Sequence, residues 1–342
     1  MATHAVSSHT LGPADWVGQA LKIARAGEAG VLVFVTRHYG STPRDKGSWI
    51  FVRHSVSMGT LGGGEVERVV EAEARDMLAG RRNWAREYEK FLLGPDMGQC
   101  CGGGMEVVFE PVDQASVNWL ELAADCVASH DSGFVVIACN DPQQPPTVSN
   151  GSLTPNIDEA GGVHIQTLID ARPLLVIYGA GHVARAFAGI ATQLPIRLTI
   201  VDDRRNELEL VPAAANISTV YMAYPLSHAE ALDASTAAAL VMTYSHALDY
   251  RLCLALLKNR KLSYVGLIGS KSKAARFRRR FDLDDGLAQE DITRLVSPIG
   301  AGAVHGKEPG LIALASLNEI MATLESSASR ETQQMNENSS NE

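Results

Sequence analysis

The fold of the second half of the chain is decided by Leu174-Leu175-Val176-Ile177-Tyr178-Gly179-Ala180-Gly181-His182-Val183-Ala184. Here an apolar strand runs into a G-x-G-x-x-A turn, and a helix begins near His182. A second strand ends at Ile200-Val201-Asp202-Asp203, a little over twenty residues later. An acid at that distance is typical of a nucleotide-binding βαβ unit, so the segment predicts a Rossmann-type fold.

Four residues of this unit are candidate ligand-binding residues. Gly179 would make the tight turn, and Gly181 would let the backbone approach a phosphate. The helix that starts near His182 would present free N–H groups and the positive end of its dipole. Asp202 is placed to accept hydrogen bonds from a ribose-like diol. Such turns bind phosphates and pyrophosphates in general, so the fold alone does not specify NAD.

Short apolar segments alternate with helical periods along the rest of this half. The predicted strands lie at 174–178, 196–201, 217–222, 238–243 and 263–268. This alternation indicates βαβ units and a doubly wound parallel sheet. A final helix is predicted over 308–326, where Leu317, Ile320, Met321 and Leu324 form one apolar stripe.

A second phosphate-type turn is predicted after the strand at 263–268. Gly266 and Gly269 lie in or beside this strand, Ser270 can cap the next helix, and Lys271 and Lys273 can neutralise an anion. The alternative is a surface loop with solvated lysines. A further candidate site follows the strand at 238–243, where His246 and Asp249 either bind or transfer a proton, or simply pair along the first helical turn.

The first half is predicted to be a mixed α+β domain. Helices are expected at 14–26 and 116–129 and in the segment after Gly64, and strands at 31–35, 49–52, 107–111 and 134–138. The polar, Pro- and Gly-rich stretch 141–162 predicts a linker, or alternatively a polar hairpin, between the domains. The expected organisation is α/β: a domain at 13–140, the linker, a Rossmann-like domain at 163–327 and a disordered tail at 328–342.

Two adjacent thiols lie on a glycine-rich turn, Gln99-Cys100-Cys101-Gly102-Gly103-Gly104-Met105. Such a loop holds thiols where a ligand or metal can approach, whereas structural cysteines are usually buried. Cys126, Cys139 and Cys253 lie in apolar surroundings and are interpreted as core residues, which argues against structural zinc. Cys100 and Cys101 therefore suggest either a thiophilic metal centre or a sulfur-transfer step, and the alternative is a turn with incidental cysteines.

Composition limits the partners and the compartment. The 342 residues carry a net charge of −9 without a dense Lys/Arg stripe, which argues against nucleic acid and anionic membranes. Five sparse cysteines do not form a disulfide framework, so a cytoplasmic location is expected. No apolar run is long enough to span a membrane. A homodimer is the expectation for a soluble protein of this size.

Two more polar loops belong to the first half. They are Gly40-Ser41-Thr42-Pro43-Arg44, which carries a guanidinium, and the turn from Gly59 to Glu67, which leads into a helix. Each by itself is explained by a turn that needs glycine. The glycine loops of both halves together favour a ligand held between two domains.

In order and spacing these motifs resemble the XdhC/CoxI family of accessory proteins, which serve molybdenum hydroxylases such as xanthine dehydrogenase. The resemblance runs from about Val31 to Leu324. Its markers are 40–44, 59–67, 99–104, 179–184, 201–204, 264–271 and 297–300. Two segments depart from the family pattern: relatives often carry a histidine in place of Tyr244, and 306–311 is not the commonest form.

The resemblance implies a carrier rather than an enzyme that turns over substrate. The expected role is to bind the molybdenum cofactor (Mo-molybdopterin), protect it while a cysteine desulfurase supplies the sulfido ligand, and insert it into the molybdenum subunit of apo xanthine dehydrogenase. The pterin phosphate would then lie at the Gly179 or Gly266 turn, a thiolate of Cys100 or Cys101 would approach the metal, and Asp202 would contact a pterin edge. The alternatives are an NAD(P)-dependent oxidoreductase and a persulfide-carrying sulfurtransferase.

Overall fold

The computed structural model describes residues 11–40, 44–93, 103–129, 133–150, 162–170, 172–232, 236–301 and 306–339. The chain divides into two compact units, Met1–Ala171 and Arg172–Glu342. Each unit has two buried apolar clusters of its own, so each has the core of an independent domain.

The described part of the first unit contains helices and antiparallel strands in alternation. In chain order they are α1 (Trp16–Arg25), β1 (Gly30–Tyr39), β2 (Trp49–Val52), β3 (Ser57–Gly59), α2 (Gly64–Leu78), β4 (Glu87–Leu93), β5 (Gly103–Val112), a 3₁₀ helix (Gln114–Ser116), α3 (Val117–Ser129), β6 (Gly133–Ala138), β7 (Thr147–Asn150) and β8 (Val163–Thr167).

These strands form a five-stranded sheet in the order β3-β2-β1-β5-β4 and a three-stranded sheet in the order β7-β6-β8. Strand β1 is buried on both faces. Leu32 and Phe34 pack with α1 and α3, whereas Val31 and Val33 pack with α2. Because successive side chains point to opposite faces, a strand covered on both sides must be apolar throughout, as 31–35 is.

The second unit begins with the predicted strand, turn and helix. Its described elements are β9 (Leu174–Tyr178), α4 (His182–Ala191), β10 (Arg197–Asp202), α5 (Arg205–Leu208), β11 (Ile217–Tyr221), α6 (Pro225–Glu230), β12 (Thr236–Val241), α7 (His246–Lys258), β13 (Tyr264–Leu267), α8 (Lys271–Leu283), α9 (Gln289–Thr293), β14 (Leu295–Val296) and α10 (Pro309–Ser339).

The strands of the second unit form one parallel sheet in the order β11-β10-β9-β12-β13-β14. Leu175 and Ile177 of β9 pack with α4 and α10 on one face, and Val176 and Tyr178 pack with α7 and α8 on the other. The sheet is therefore doubly wound, and the predicted fold class is confirmed. The strand order reverses between β9 and β12, so their carboxyl ends flank the topological switch point.

The predicted boundary between the domains was wrong. The units divide between Ala171 and Arg172, and not within 141–162. Strand β7 lies within that stretch and β8 directly after it, and both pair with β6 of the first unit. The side chains of β7 are mostly exposed, so its composition is that of a polar loop although its backbone completes a sheet. Residues 163–170 therefore belong to the first unit.

The predicted disordered tail also needs correction. Helix α10 continues through Ser339, although the polar composition beyond Ser327 predicted disorder. That stretch contains neither glycine nor proline, so nothing in it breaks a helix, and its Glu and Gln residues favour one. Across the described ranges, none of the helices combines the length and the apolar composition needed to cross a bilayer.

Candidate functional site

The carboxyl edge of the parallel sheet gathers most of the predicted site residues. The turn 179–182 follows β9, Asp202 ends β10, and the loop 268–271 follows β13. Gly266 is different, because it lies inside β13. A Cβ atom there would clash with Leu240 Cδ2, so close packing in the core requires glycine at this position.

Gly179 makes a turn that other residues cannot make without strain. Its φ is 110°, and a Cβ atom at this position would lie 2.5 Å from the carbonyl oxygen of Met242. The backbone of the loop after β12 therefore passes directly over the turn. Both observations require glycine here and agree with its predicted role as the tight turn.

Gly181 is the N-cap of α4, and it has a different role. Its φ is −71°, and a Cβ atom there would meet nothing within 4 Å. No side chain caps this helix. The first N–H groups of a helix have no partner within the helix, so those that begin at the exposed His182 are open to an anion.

The carboxylate of Asp202 holds the glycine turn in place. It is buried and accepts hydrogen bonds from the backbone N–H of Ala180 at 2.6 Å and from the backbone N–H of Arg204 at 2.8 Å. The Arg204 guanidinium donates two more, at 2.9 and 2.8 Å. Burial opposes ionisation, but these donors outweigh it and hold the pKa of Asp202 below its usual range. The acid predicted to bind a diol is thus already engaged by protein donors.

Asp203 and Tyr244 join the ends of two strands. The Tyr244 hydroxyl donates to Asp203 Oδ2 at 3.0 Å, and the Arg204 guanidinium lies 4.6 Å from the centre of the Tyr244 ring. Asp203 follows β10 and Tyr244 follows β12, so this contact spans the end of β9, which lies between them. Beside it is a cavity of about 330 Å³, lined by Asp203, Tyr224, Tyr244, Ser245 and Arg251 among others. Sequence reasoning did not assign these residues to a site.

The loops after β12 and β13 are tied together by a buried ion pair. Asp249 Oδ2 lies 2.6 Å from Lys273 Nζ, and Asp249 Oδ1 accepts from Thr243 Oγ1 at 2.7 Å. His246 is exposed, and Asp249 does not pair with it along the helical turn but with these two residues. Lys273 is therefore engaged by a carboxylate, and the anion-binding role suggested for it has no support in this geometry.

The loop after β13 has the predicted helix cap. Ser270 Oγ accepts from the backbone N–H of Lys273 at 3.2 Å, so α8 begins with a side-chain cap, unlike α4. Lys271 is exposed at the first position of that helix. Gly269 has a φ of 151°, and a Cβ atom there would lie 2.7 Å from Lys273 Cδ. The loop is thus packed around the Lys273 side chain.

In the first unit, two of the polar loops meet at one cavity of about 240 Å³. Its lining includes Arg44, Lys46 and Thr60. One carboxylate oxygen, Glu67 Oε2, accepts from the backbone N–H groups of Leu61 and Gly63 at 2.7 and 3.0 Å, and from Thr60 Oγ1. Glu67 thus holds this glycine turn by accepting hydrogen bonds from the backbone N–H groups of the turn, as Asp202 does in the second unit.

Two family models match the chain. The model of the XdhC and CoxI family matches residues 23–89, and the model of the XdhC Rossmann domain matches residues 175–320. The chain belongs to the XdhC and CoxI family. The resemblance noted from its motifs is thereby confirmed.

Two relatives of this XdhC-family chain show how far the likeness extends. The uncharacterized protein YqeB of Escherichia coli (strain K12) is 27% identical over 290 residues, which are 82% of this chain and 41% of that protein. The chain thus spans less than half of that relative's length. A structure described as a xanthine dehydrogenase from Bacillus halodurans matches with a TM-score of 0.71 and 18% identity, and covers 92% of this chain and 96% of that one. At this identity the match shows a shared fold.

The cysteine pair of this XdhC-family chain, Cys100 and Cys101, lies outside the described residues. The other three cysteines, Cys126, Cys139 and Cys253, are buried. Burial raises the pKa of the Cys139 thiol to about 11 and also raises that of Cys253, so both thiols are protonated at neutral pH. Within the described ranges, no three His, Cys, Asp or Glu side chains are grouped as metal ligands.

Proposed function

We propose that this protein binds the molybdenum cofactor, protects it while a cysteine desulfurase supplies the sulfido ligand, and delivers it to the molybdenum subunit of apo xanthine dehydrogenase. The observation that carries the proposal is membership of the XdhC and CoxI family across both units. The cofactor is cargo in this role, so the protein's task is to hold and release it.

The second unit offers a place for the pterin phosphate at the start of α4. This helix is ten residues long, has no side-chain cap, and begins at a glycine with open space beside it. A phosphate there accepts hydrogen bonds from backbone N–H groups and is stabilised by the helix dipole. The capped start of α8 is the poorer candidate, because Ser270 already accepts from one of its N–H groups.

For the metal, the proposal assigns a thiolate of Cys100 or Cys101. Soft thiolates suit a thiophilic metal, and the three described thiols are buried among apolar side chains. A ligand role for the pair would also fit a sulfido-transfer step, in which the carrier holds the cofactor while sulfur is added by the desulfurase.

The geometry counts against an oxidoreductase that binds NAD in the usual way. In an NAD-binding fold, an acid at the end of the second strand accepts hydrogen bonds from the ribose. Here Asp202 accepts four hydrogen bonds from Ala180 and Arg204, and Tyr244 reaches across the end of β9 to Asp203. A dinucleotide in the usual position would have to displace both arrangements.

The test is retention of the cofactor. Full-length protein is incubated with cofactor released from a molybdenum hydroxylase, unbound ligand is removed by gel filtration, and molybdenum and pterin are measured in the protein fraction. We expect both to be retained near one equivalent per chain, and transfer to apo xanthine dehydrogenase to restore its activity. Retention at the level of serum albumin would refute carriage.

A further inference from the structure

The cavity beside Asp203 has the chemistry of a second recognition element. We propose that it binds the edge of a planar heterocycle with the 2-amino-4-oxopyrimidine pattern, which pterins and guanine share. This inference deepens the proposed function and rests on it for the choice of pterin as the natural ligand. The chemistry of the edge itself rests only on the residues that line the cavity.

Two tyrosine side chains are among the residues that line this cavity. Tyr224 is 78% exposed and Tyr244 is 63% exposed, and both line it. Exposure of two large rings at one cavity is a poor arrangement for a surface with no ligand, because each ring leaves apolar area in water. The Arg204 guanidinium lies over the Tyr244 ring, so one face is covered by a cation and the other remains for a flat ring to stack on.

Asp203 supplies the hydrogen-bond acceptors. Its Oδ2 accepts from the Tyr244 hydroxyl at 3.0 Å, which fixes the carboxylate at the cavity wall. Arg204 Nε lies 3.9 Å from Asp203 Oδ1, which is beyond hydrogen-bond distance. An ionised carboxylate has about four acceptor positions, so Asp203 retains capacity for two parallel N–H donors.

The ring N–H and the adjacent amino group of a pterin or guanine are two parallel donors. They match a carboxylate in the way that a guanidinium does. Adenine presents a ring lone pair in place of the ring N–H, and this lone pair would face the negative charge of Asp203. A site with this acceptor should therefore reject adenine, since a carboxylate placed against a lone pair loses the hydrogen bond and adds repulsion.

Size and position support the same ligand. A cavity of about 330 Å³ lies at the small end of ligand sites, which span about 300–1,000 Å³, and suits one bicyclic ring. Asp202, whose carboxylate was predicted to contact the pterin edge, is turned towards Ala180 and Arg204. Its neighbour Asp203 is the acid of this pair that lines the cavity.

The experiment uses the full chain and three probes. Pterin binding is followed by quenching of pterin fluorescence, with GMP and AMP as competitors. We expect saturable pterin binding, competition by GMP and no competition by AMP. Asp203→Asn keeps an acceptor for the Tyr244 hydroxyl but removes the charge, and should weaken pterin binding at least tenfold. Tyr224→Leu should weaken it about fivefold through lost stacking.

Matched variants control for surface effects. Asp282→Asn removes an exposed carboxylate of α8 that does not line the cavity, and Tyr221→Leu removes an exposed tyrosine of the neighbouring strand end; both should leave the affinity unchanged. Equal competition by AMP, or unchanged affinity in Asp203→Asn, would overturn the proposal. Much tighter GMP binding would support the recognised edge and identify a guanine nucleotide as its source.

The outcome is separable from that of the proposed function. Cofactor retention that is equal in the wild type and in Asp203→Asn, with no binding of free pterin, would reject this site and leave carriage intact. Binding of free pterin that depends on Asp203, without retention of the whole cofactor, would support the site and reject carriage. Thermal midpoints of all variants confirm that each is folded.

Discussion

Lys273 Nζ lies 2.6 Å from Asp249 Oδ2, and the two side chains form an ion pair that is 10% and 0% exposed. Asp249 belongs to the first turn of α7 and Lys273 to the first turn of α8. The lysine also donates to the carbonyl oxygen of Ile268 at 3.1 Å, and the aspartate accepts from the Thr243 backbone N–H at the same distance. One pair thus fixes two of the loops at the carboxyl edge of the sheet.

Loss of one partner of this pair should be strongly destabilising. Lys273→Met leaves a buried carboxylate without its cation, which costs about 3–5 kcal/mol. Asp249→Leu combined with Lys273→Met should recover part of that loss, because no unpaired charge remains. All four tryptophans lie at or before position 119, so their fluorescence reports on the first unit. The measurement is therefore hydrogen exchange of amides in α7 and α8.

Lys271→Met is the matched control, since Lys271 is exposed on the same helix. It should change the stability by no more than about 0.5 kcal/mol. Amide protection in Lys273→Met equal to that in Lys271→Met would show that the pair does not hold these loops.

Glu73 should make the stability of the first unit depend on pH. The Arg82 guanidinium contacts Glu73, Glu87 and Glu89, so three carboxylates share one cation. Burial, and then the charge of Glu89, raise the pKa of Glu73 to about 7. The folded state therefore keeps a proton on Glu73 that the unfolded state releases above about pH 4.5. The contribution of this group to the free energy of unfolding is complete below that pH and is lost as the pH rises to about 7.

Glu73→Gln should remove this dependence. Relative to the wild type, the free energy of unfolding of the variant should rise between about pH 4.5 and 7, as measured by urea unfolding with tryptophan fluorescence. The control is Glu71→Gln, which removes a carboxylate of the same helix that pairs with Arg75. A difference between wild type and Glu73→Gln that is constant with pH would contradict the raised pKa of Glu73.

The two glycines of the β9–α4 turn should respond differently to substitution. Gly179→Ala places a Cβ against the Met242 carbonyl at a positive φ and should cost about 1–3 kcal/mol. Gly181→Asp fits the space and provides α4 with its own N-cap, so the protein should be at least as stable. Its carboxylate would occupy the N–H groups and repel a phosphate, so cofactor retention should fall at least tenfold.

Gly189→Asp is the control for Gly181→Asp. Gly189 lies on the same helix with open space around it, away from the N-terminus. Retention that falls equally in both variants would indicate a general effect of charge, and undiminished retention in Gly181→Asp would move the phosphate away from α4.

Thiol reactivity should be confined to the cysteine pair. Cys126, Cys139 and Cys253 are buried, and the raised pKa of Cys139 and Cys253 leaves almost no thiolate at pH 7.5. Iodoacetamide should therefore modify Cys100 and Cys101 in the native protein and all five cysteines after denaturation, as read by peptide mass mapping. Modification of Cys139 or Cys253 as fast as that of Cys100 would contradict this burial.

The parts of the second unit that were predictable depend on local sequence. The strand 174–178, the turn at Gly179 and the helix from His182 are determined by a few adjacent residues, and the structure has all three. The Ser270 cap is local in the same sense. Short-range signals of this kind do not depend on how the rest of the chain folds.

The contacts that complete the site are long-range and could not be predicted from the sequence. Lys273 meets Asp249 across 24 positions, and Tyr244 meets Asp203 across 41. Neither pair has a spacing that indicates contact, since only the strand order brings the loops together. Asp202 and Arg204 are only two residues apart, so their contact is local. Asp202 also occupies the position of a ribose-binding acid, however, and the sequence therefore favoured a ligand contact over an internal ion pair.

The hydrogen bond from Ala180 to Asp202 has a consequence for exchange of cargo. A turn that is held by the protein's own carboxylate keeps its shape whether a ligand is present or absent, so loading requires no ordering of the backbone. The lifetime of a complex at this edge would then be set by the contacts that break when the ligand leaves. A rigid receptacle of this kind can be filled and emptied repeatedly without a refolding step, as a shuttle requires.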